Sequence, residues 1–156
     1  MKIEFFVPGI AKPAGSKRAF KYKKPDGKEG IAITHANPKT KDWMESVKWF
    51  AMKAWGRTIL LNEALCLELD FIYSRPKKHF RTGRYSGILK SLMPSHKTTT
   101  PDLTKIVRAV EDALTGVVWQ DDSLVVRQFS KKRYAGENEK PGVKITISTL
   151  IEDSGF

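Results

Sequence analysis

Three carboxylates, Asp102, Asp121 and Asp122, flank one apolar-periodic segment of a chain that is otherwise strongly basic. In PDLTKIVRAVEDALTGVVWQDDSLVV, residues 101–126, Asp102 precedes an apolar-periodic run, and Asp121-Asp122 follow a short apolar turn. Asp102 lies where the free N–H groups and the dipole of a helix start favour negative charge, and as an N-cap it needs no further role. Adjacent acids at the head of a strand are, equally, a common solvated turn. Brought together across a helix start and a strand start, however, two or three carboxylates make a hard-oxygen site suited to Mg²⁺. Such an ion lowers the pKa of a bound water and stabilises charge building on a phosphate, while a nearby Arg or Lys holds the scissile group.

The charge of the chain gives weight to the second reading. Its 28 Lys+Arg against 17 Asp+Glu leave +11, with a sequence pI near 9.8. A field of that size calls for a polyanionic partner and says nothing about fold. Nucleic acid leads; an acidic protein, an anionic membrane surface or plain solubility are the alternatives. Seven basic residues fall between Lys12 and Lys28, and seven more between Ser74 and Thr100 with no acid among them. In that second stretch Arg75, Lys77, Lys78, Arg81, Arg84, Lys90 and Lys97 are candidate phosphate contacts, with Phe80 and Tyr85 interleaved for stacking. A long connection of this kind is either functional or a flexible solvated loop. His96 is a candidate base or phosphate contact, against the plainer reading of an exposed loop histidine; His35 and His79 carry less weight.

Other chemistries lose their support. There is no P-loop, no Gly-x-Ser-x-Gly elbow, no kinase motif set and no paired-cysteine zinc pattern. The single cysteine, Cys66, sits in an apolar run and reads as a buried, inert thiol. The first residues do not form a signal peptide, and no apolar run approaches the ~18 residues of a membrane span. A soluble cytoplasmic protein without a membrane partner is the expectation.

The elements that must position these residues can be read from periodicity. Residues 2–8 form an opening strand ending at Pro8-Gly9. Pro25-Asp26-Gly27 turns a basic hairpin. Asn37-Pro38 starts a helix whose apolar stripe is Trp43, Met44, Val47, Phe50, Ala51 and Ala54, closed by Gly56. Residues 64–73 form a strand with Leu65, Leu67, Leu69 and Phe71 on one face and Cys66, Glu68, Asp70 and Ile72 on the other. A second helix over 102–115 carries Leu103, Ile106, Val107, Val110 and Leu114. An extended stretch 123–134, a turn over Glu137–Pro141 and a final strand from Gly142 to Leu150 complete the chain, with a frayed tail from Glu152. The order predicts one α+β domain over residues 1–156, a mixed sheet with two main helices packed on it.

These residues resemble the RusA-type Holliday junction resolvases. Asp102-Leu103 matches the start of that family's signature, Asp112-Ala113-Leu114 its middle, and Trp119-Gln120-Asp121-Asp122 its end, with Val125-Val126 and Lys131-Lys132-Arg133 continuing the match. The resemblance is sharp over about residues 100–133. It implies a homodimeric α+β endonuclease that binds four-way DNA junctions and uses Mg²⁺ or Mn²⁺ to make paired nicks with ligatable ends. It further implies metal ligands at Asp102 and Asp122, with Asp121 beside them. The family's conserved lysine falls on Arg108, which keeps the charge but cannot donate a proton as Lys can. Lys77, Lys78, Arg81, Arg84, Lys97, Lys105, Lys131, Lys132 and Arg133 are the expected DNA contacts.

One departure matters. The family's second aspartate corresponds to Thr104 and its asparagine to Lys105. A threonine hydroxyl is a poor Mg²⁺ ligand, so a carboxylate is missing or comes from elsewhere; Asp121 ranks first, then Asp112, Asp70 or a water held by Thr104. A non-catalytic DNA-binding protein of the same fold is the alternative, and an RNA- or ribosome-associated protein, resting on charge alone, a third reading.

Overall fold

The computed structural model of the chain describes residues 1–15, 17–35 and 37–151; the tail from Glu152, expected to be frayed, lies outside them. Four strands form a mixed sheet in the order β1 (Lys2–Pro8), β6 (Gly142–Thr149), β4 (Leu65–Tyr73), β5 (Val125–Tyr134). β6 is antiparallel to both its neighbours and β5 runs parallel to β4. A parallel pair needs a crossover. The chain provides one through the long basic segment and helix α2 (Leu103–Leu114). Helix α1 (Pro38–Trp55) packs on α2 and β1, while β2 (Lys17–Lys23) and β3 (Glu29–His35) pair as a separate ribbon. The fold is α+β, as the order of elements predicted.

Register decides which side chains enter the core. Ile3, Phe5 and Val7 lie opposite Ile147, Ile145 and Val143, which in turn lie opposite Leu67, Leu69 and Phe71. All nine therefore share one face. This face receives Ile106, Val110 and Leu114 of α2 and Val47 and Ala51 of α1, each fully buried. The predicted helix caps stand: the Asn37 side chain accepts from the Lys39 N–H, and Gly56 closes α1 at φ 60° with its N–H on Met52 O. On the predicted stripe only Ala54 differs. It is exposed, and Trp55 is buried instead.

The second face of β4 is less solvated than alternation suggested. Cys66 and Ile72 are buried and only Glu68 is exposed, because β4 has neighbours on both sides. Charges ladder across this face: Glu4 meets Lys144 at 3.1 Å and Asp70 meets Arg133 at 3.0 Å. Arg133 also grips Glu139 through two 2.6 Å bonds. The Glu139 carboxyl is lowered from 4.5 to about 2, first by Arg133 and then by the Gly136 N–H. A depressed carboxylate contributes stability above its unfolded pKa and loses it as the proton returns. Thermal melts should therefore fall as pH drops from 4.5 toward about 2, and Glu139→Gln should flatten that part of the profile.

The segment from Ser74 to Thr100, read as either functional or flexible, is built and pinned to the end of β5. Arg81 N–H bonds Ile88 O, Lys90 N–H bonds His79 O, and Tyr134 N–H bonds Ser95 O, all within 2.8–2.9 Å. His79 is buried, edge-on to Tyr134 at 4.9 Å, and burial pushes its pKa down.

Candidate active site

Helix α2 presents its apolar stripe to the sheet and a different stripe to solvent. Thr104, Arg108, Glu111 and Thr115 recur at steps of four, three and four, so they line one face. Thr104 and Arg108 are exposed, and Glu111 and Thr115 half-buried. Beside this stripe runs β5, one of the two edge strands of the sheet.

Asp102 occupies the N-cap position at φ −66°, ψ 139°, yet its side chain caps nothing. The carboxylate points instead to Lys105, 2.9 Å away, and that ammonium, followed at longer range by Lys132, lowers its pKa. Its surroundings form a groove lined by Lys12, Tyr73, Pro101 and Lys105. Tyr73 is fixed there by its hydroxyl, which donates to Ala11 O at 3.0 Å, and burial pushes its phenol above the ordinary range.

The acids at the other end of α2 divide their work. Asp121 accepts from the Ser123 N–H at 2.9 Å and caps the single turn Asp122–Leu124, which lowers its pKa. Asp122 turns the other way, with Oδ1 3.0 Å from the Thr115 hydroxyl. Trp119, fully buried, donates Nε1–H to the same hydroxyl oxygen at 3.0 Å and so ties the α2–β5 connection to the helix end.

The reading from sequence did not single out Glu111. It stands by Asp122, with Oε1 held by Gln128 Nε2 at 2.8 Å, and its pKa is raised chiefly by burial and then by the Asp122 charge. The signal that would have found it is the helical spacing from Thr104 through Arg108. A residue seven positions after Thr104 returns to the same face two turns on.

The predicted basic cluster 131–133 divides between the two faces of the sheet. Lys132 shares the helix side with Gln128, and its ammonium donates to Thr99 O at 2.7 Å and Pro101 O at 2.6 Å. Lys131 and Arg133 lie on the opposite face with Asp70. Strand alternation does this to any three consecutive residues. Lys97 likewise donates to Thr99 and Thr100 and lies over the Tyr73 and Tyr134 rings. Burial lowers its pKa. Arg75 is held inward, donating to Ala135 O and Pro94 O. Lys77, Lys78, Arg81 and Arg84 are exposed, and Arg84 stacks on Tyr85 at 4.9 Å. Lys105 is exposed but paired with Asp102.

Carboxylate oxygens are the right donors for Mg²⁺ or Mn²⁺. Among the described residues, however, no group of three His, Cys, Asp or Glu side chains gathers at one point in a single protomer. Asp102 and Asp122 lie near opposite ends of α2, a helix of 12 residues, or about 18 Å. Among the described residues no helix is long and apolar enough to cross a membrane.

None of the curated proteins compared matches the chain. Residues 8–148, which include every element and side chain just placed from Pro8 to Ser148, match the family described as Endodeoxyribonuclease RusA. The chain therefore belongs to the RusA family of Holliday junction-resolving endonucleases, enzymes that hydrolyse phosphodiester bonds in DNA.

Proposed function

We propose that this chain resolves four-way DNA junctions by paired symmetric nicks, acting as a Mg²⁺- or Mn²⁺-dependent homodimer in the cytoplasm of a bacterial host, in recombination, repair or phage DNA processing. The observation that carries this reading is the arrangement on α2: Asp102, Arg108 and Asp122 are all exposed, at the start, the middle and the far end of one helix. Bound there, the divalent ion would supply a water of lowered pKa and a counter-charge for the phosphate. In the reaction an O–P bond forms from water and the P–O3′ bond breaks, leaving a 5′-phosphate and a 3′-hydroxyl that a ligase can rejoin.

This chain's residues have separable tasks. Arg108 offers two parallel N–H donors to a phosphate. Thr115 orients Asp122 through the 3.0 Å contact. Glu111 is our choice for the carboxylate that Thr104 does not supply, because it shares the Thr104 face and neighbours Asp122; Asp121, ranked first from sequence, spends its side chain on the turn. Glu111→Gln should leave the melting temperature unchanged or higher at neutral pH while lowering the cleavage rate at least about tenfold. An unchanged rate would return Glu111 to a purely structural role.

The two ends of α2 also give the reason for a homodimer. A twofold axis that lays two copies of α2 antiparallel sets Asp102 of one protomer toward the partner subunit's Asp122. Lys77, Lys78, Arg81 and Arg84 then serve as phosphate contacts from the long loop, with Lys131 beyond the edge strand.

The test is a denaturing gel of a labelled four-way junction and matched linear duplex, with Mg²⁺, with Mn²⁺ and with EDTA. Paired, metal-dependent nicks confined to the junction support the proposal. The second reading, a DNA-binding protein that has lost cleavage, is favoured by Thr104 and by the absence of a three-carboxylate group among the described residues of one protomer. Tight junction binding without a nick in either ion would establish it.

A further inference from the structure

Among the described residues the β2–β3 ribbon pairs with no other strand, and two strands alone are marginal in water. From Ala19 to Ile33 no residue is buried. Phe20 and Tyr22 are 49% and 44% exposed on one face, and Ile31 and Ile33 are 69% and 67% exposed on the other. The register puts Ala32 opposite Phe20 and Gly30 opposite Tyr22. Small partners leave the rings uncovered, and the Tyr22 ring lies so close over Gly30 that a Cβ there would meet it at 2.8 Å.

The end of the ribbon is cationic. Lys23, Lys24 and Lys28 surround the turn, where Lys24 N–H bonds Lys28 O at 2.9 Å and Asp26 is spent on the Lys28 N–H at 3.0 Å. Among the described ion pairs of the ribbon, Glu29 meets Lys21 at 3.6 Å, leaving the three turn lysines without an acidic partner. Seven-residue strands make a ribbon about 23 Å long, and a two-stranded ribbon fits the DNA major groove.

We propose that β2–β3 is a DNA-gripping arm. Lys23, Lys24 and Lys28 bind backbone phosphates, and the Phe20–Tyr22 face lies against bases that a junction leaves unstacked at its branch point. Interleaved cations and aromatic rings are the chemistry of that partner. The inference rests on the junction-resolving reading, but it concerns side chains other than the carboxylates of α2.

The full chain should be titrated with a fluorescent four-way junction in Ca²⁺ at several salt concentrations, alongside K23E/K24E/K28E and F20A. We expect the triple variant to bind at least about tenfold more weakly, with a log–log salt slope shallower by about two to three. F20A should weaken binding several-fold with the slope unchanged. A folded triple variant with the affinity and slope of the parent would overturn the arm. So would loss of binding that accompanies a change from dimer to monomer, since the ribbon's partner is then a second copy. If the triple variant fails to fold, p-benzoylphenylalanine in place of Phe20 decides the matter: photo-cross-linking to DNA supports the arm, and cross-linking to protein overturns it. A parent chain that binds no junction removes the resolvase reading and the arm together, whereas a parent that binds and cuts while the arm variants do the same removes the arm alone.

Discussion

Asp102→Asn and Asp122→Asn should each reduce junction cleavage by about three orders of magnitude, roughly 4 kcal/mol of transition-state stabilisation, while leaving junction affinity within a few-fold of the parent. Both residues are exposed, and amide replaces carboxylate with almost no change in shape, so neither variant should unfold. Their separation along α2 adds a sharper expectation. If each site combines Asp102 of one protomer with the partner subunit's Asp122, a mixed dimer of the two inactive variants contains one site with both aspartates intact. Random exchange makes about half the dimers mixed, so about a quarter of all sites recover. The recovered activity should leave single nicks in place of paired ones. No recovery on mixing, with exchange verified by native mass spectrometry, would mean that each site is built within one protomer and that the dimer arrangement proposed for α2 is wrong.

Trp119→Ala should lower the free energy of unfolding by about 3–5 kcal/mol, a large fraction of what a domain of this size possesses. The ring is fully buried, and the backbone around it is stitched in both directions, with Gly116 N–H on Trp119 O and Gln120 N–H on Leu61 O. Trp119→Phe separates packing from placement. It retains much of the buried volume but removes the Nε1–H bond to Thr115, the residue whose hydroxyl meets Asp122. Urea denaturation should show a cost for the Phe variant of less than half that of the Ala variant. Its cleavage rate should nevertheless fall several-fold, because the Thr115 hydroxyl, which also lies 2.9 Å from Glu111 O, loses the donor that orients it toward Asp122. A Phe variant with full activity would show that Asp122 is positioned by the turn alone.

Much of the fold was legible in the sequence because its signals are local. Periods of 3.6 and 2, Asn37-Pro38 before a helix, Gly56 after it and Pro25-Asp26-Gly27 between two extended pieces are read within a few residues of where they act, and each element stands where those signals put it. The motif from Asp102 to Asp122 was legible for the same reason, as residues at fixed spacing, and it named the family that residues 8–148 match. What the tertiary structure alone decided is which side chains meet. Glu111 and Gln128 are 17 positions apart, and only the parallel pairing of β4 with β5 lays that strand beside α2. The same pleat sends Lys132 to one face and Arg133 to the other, where Asp70, 63 positions away, joins the nearby Glu139 in holding its guanidinium. Charge count cannot reveal this, since a cation bound to carbonyls and one free for phosphate have the same letter. Nor does spacing in sequence reveal that Asp102 and Asp122 stand a helix length apart, a separation set by the rise per residue of α2 and by the turn that Trp119 anchors.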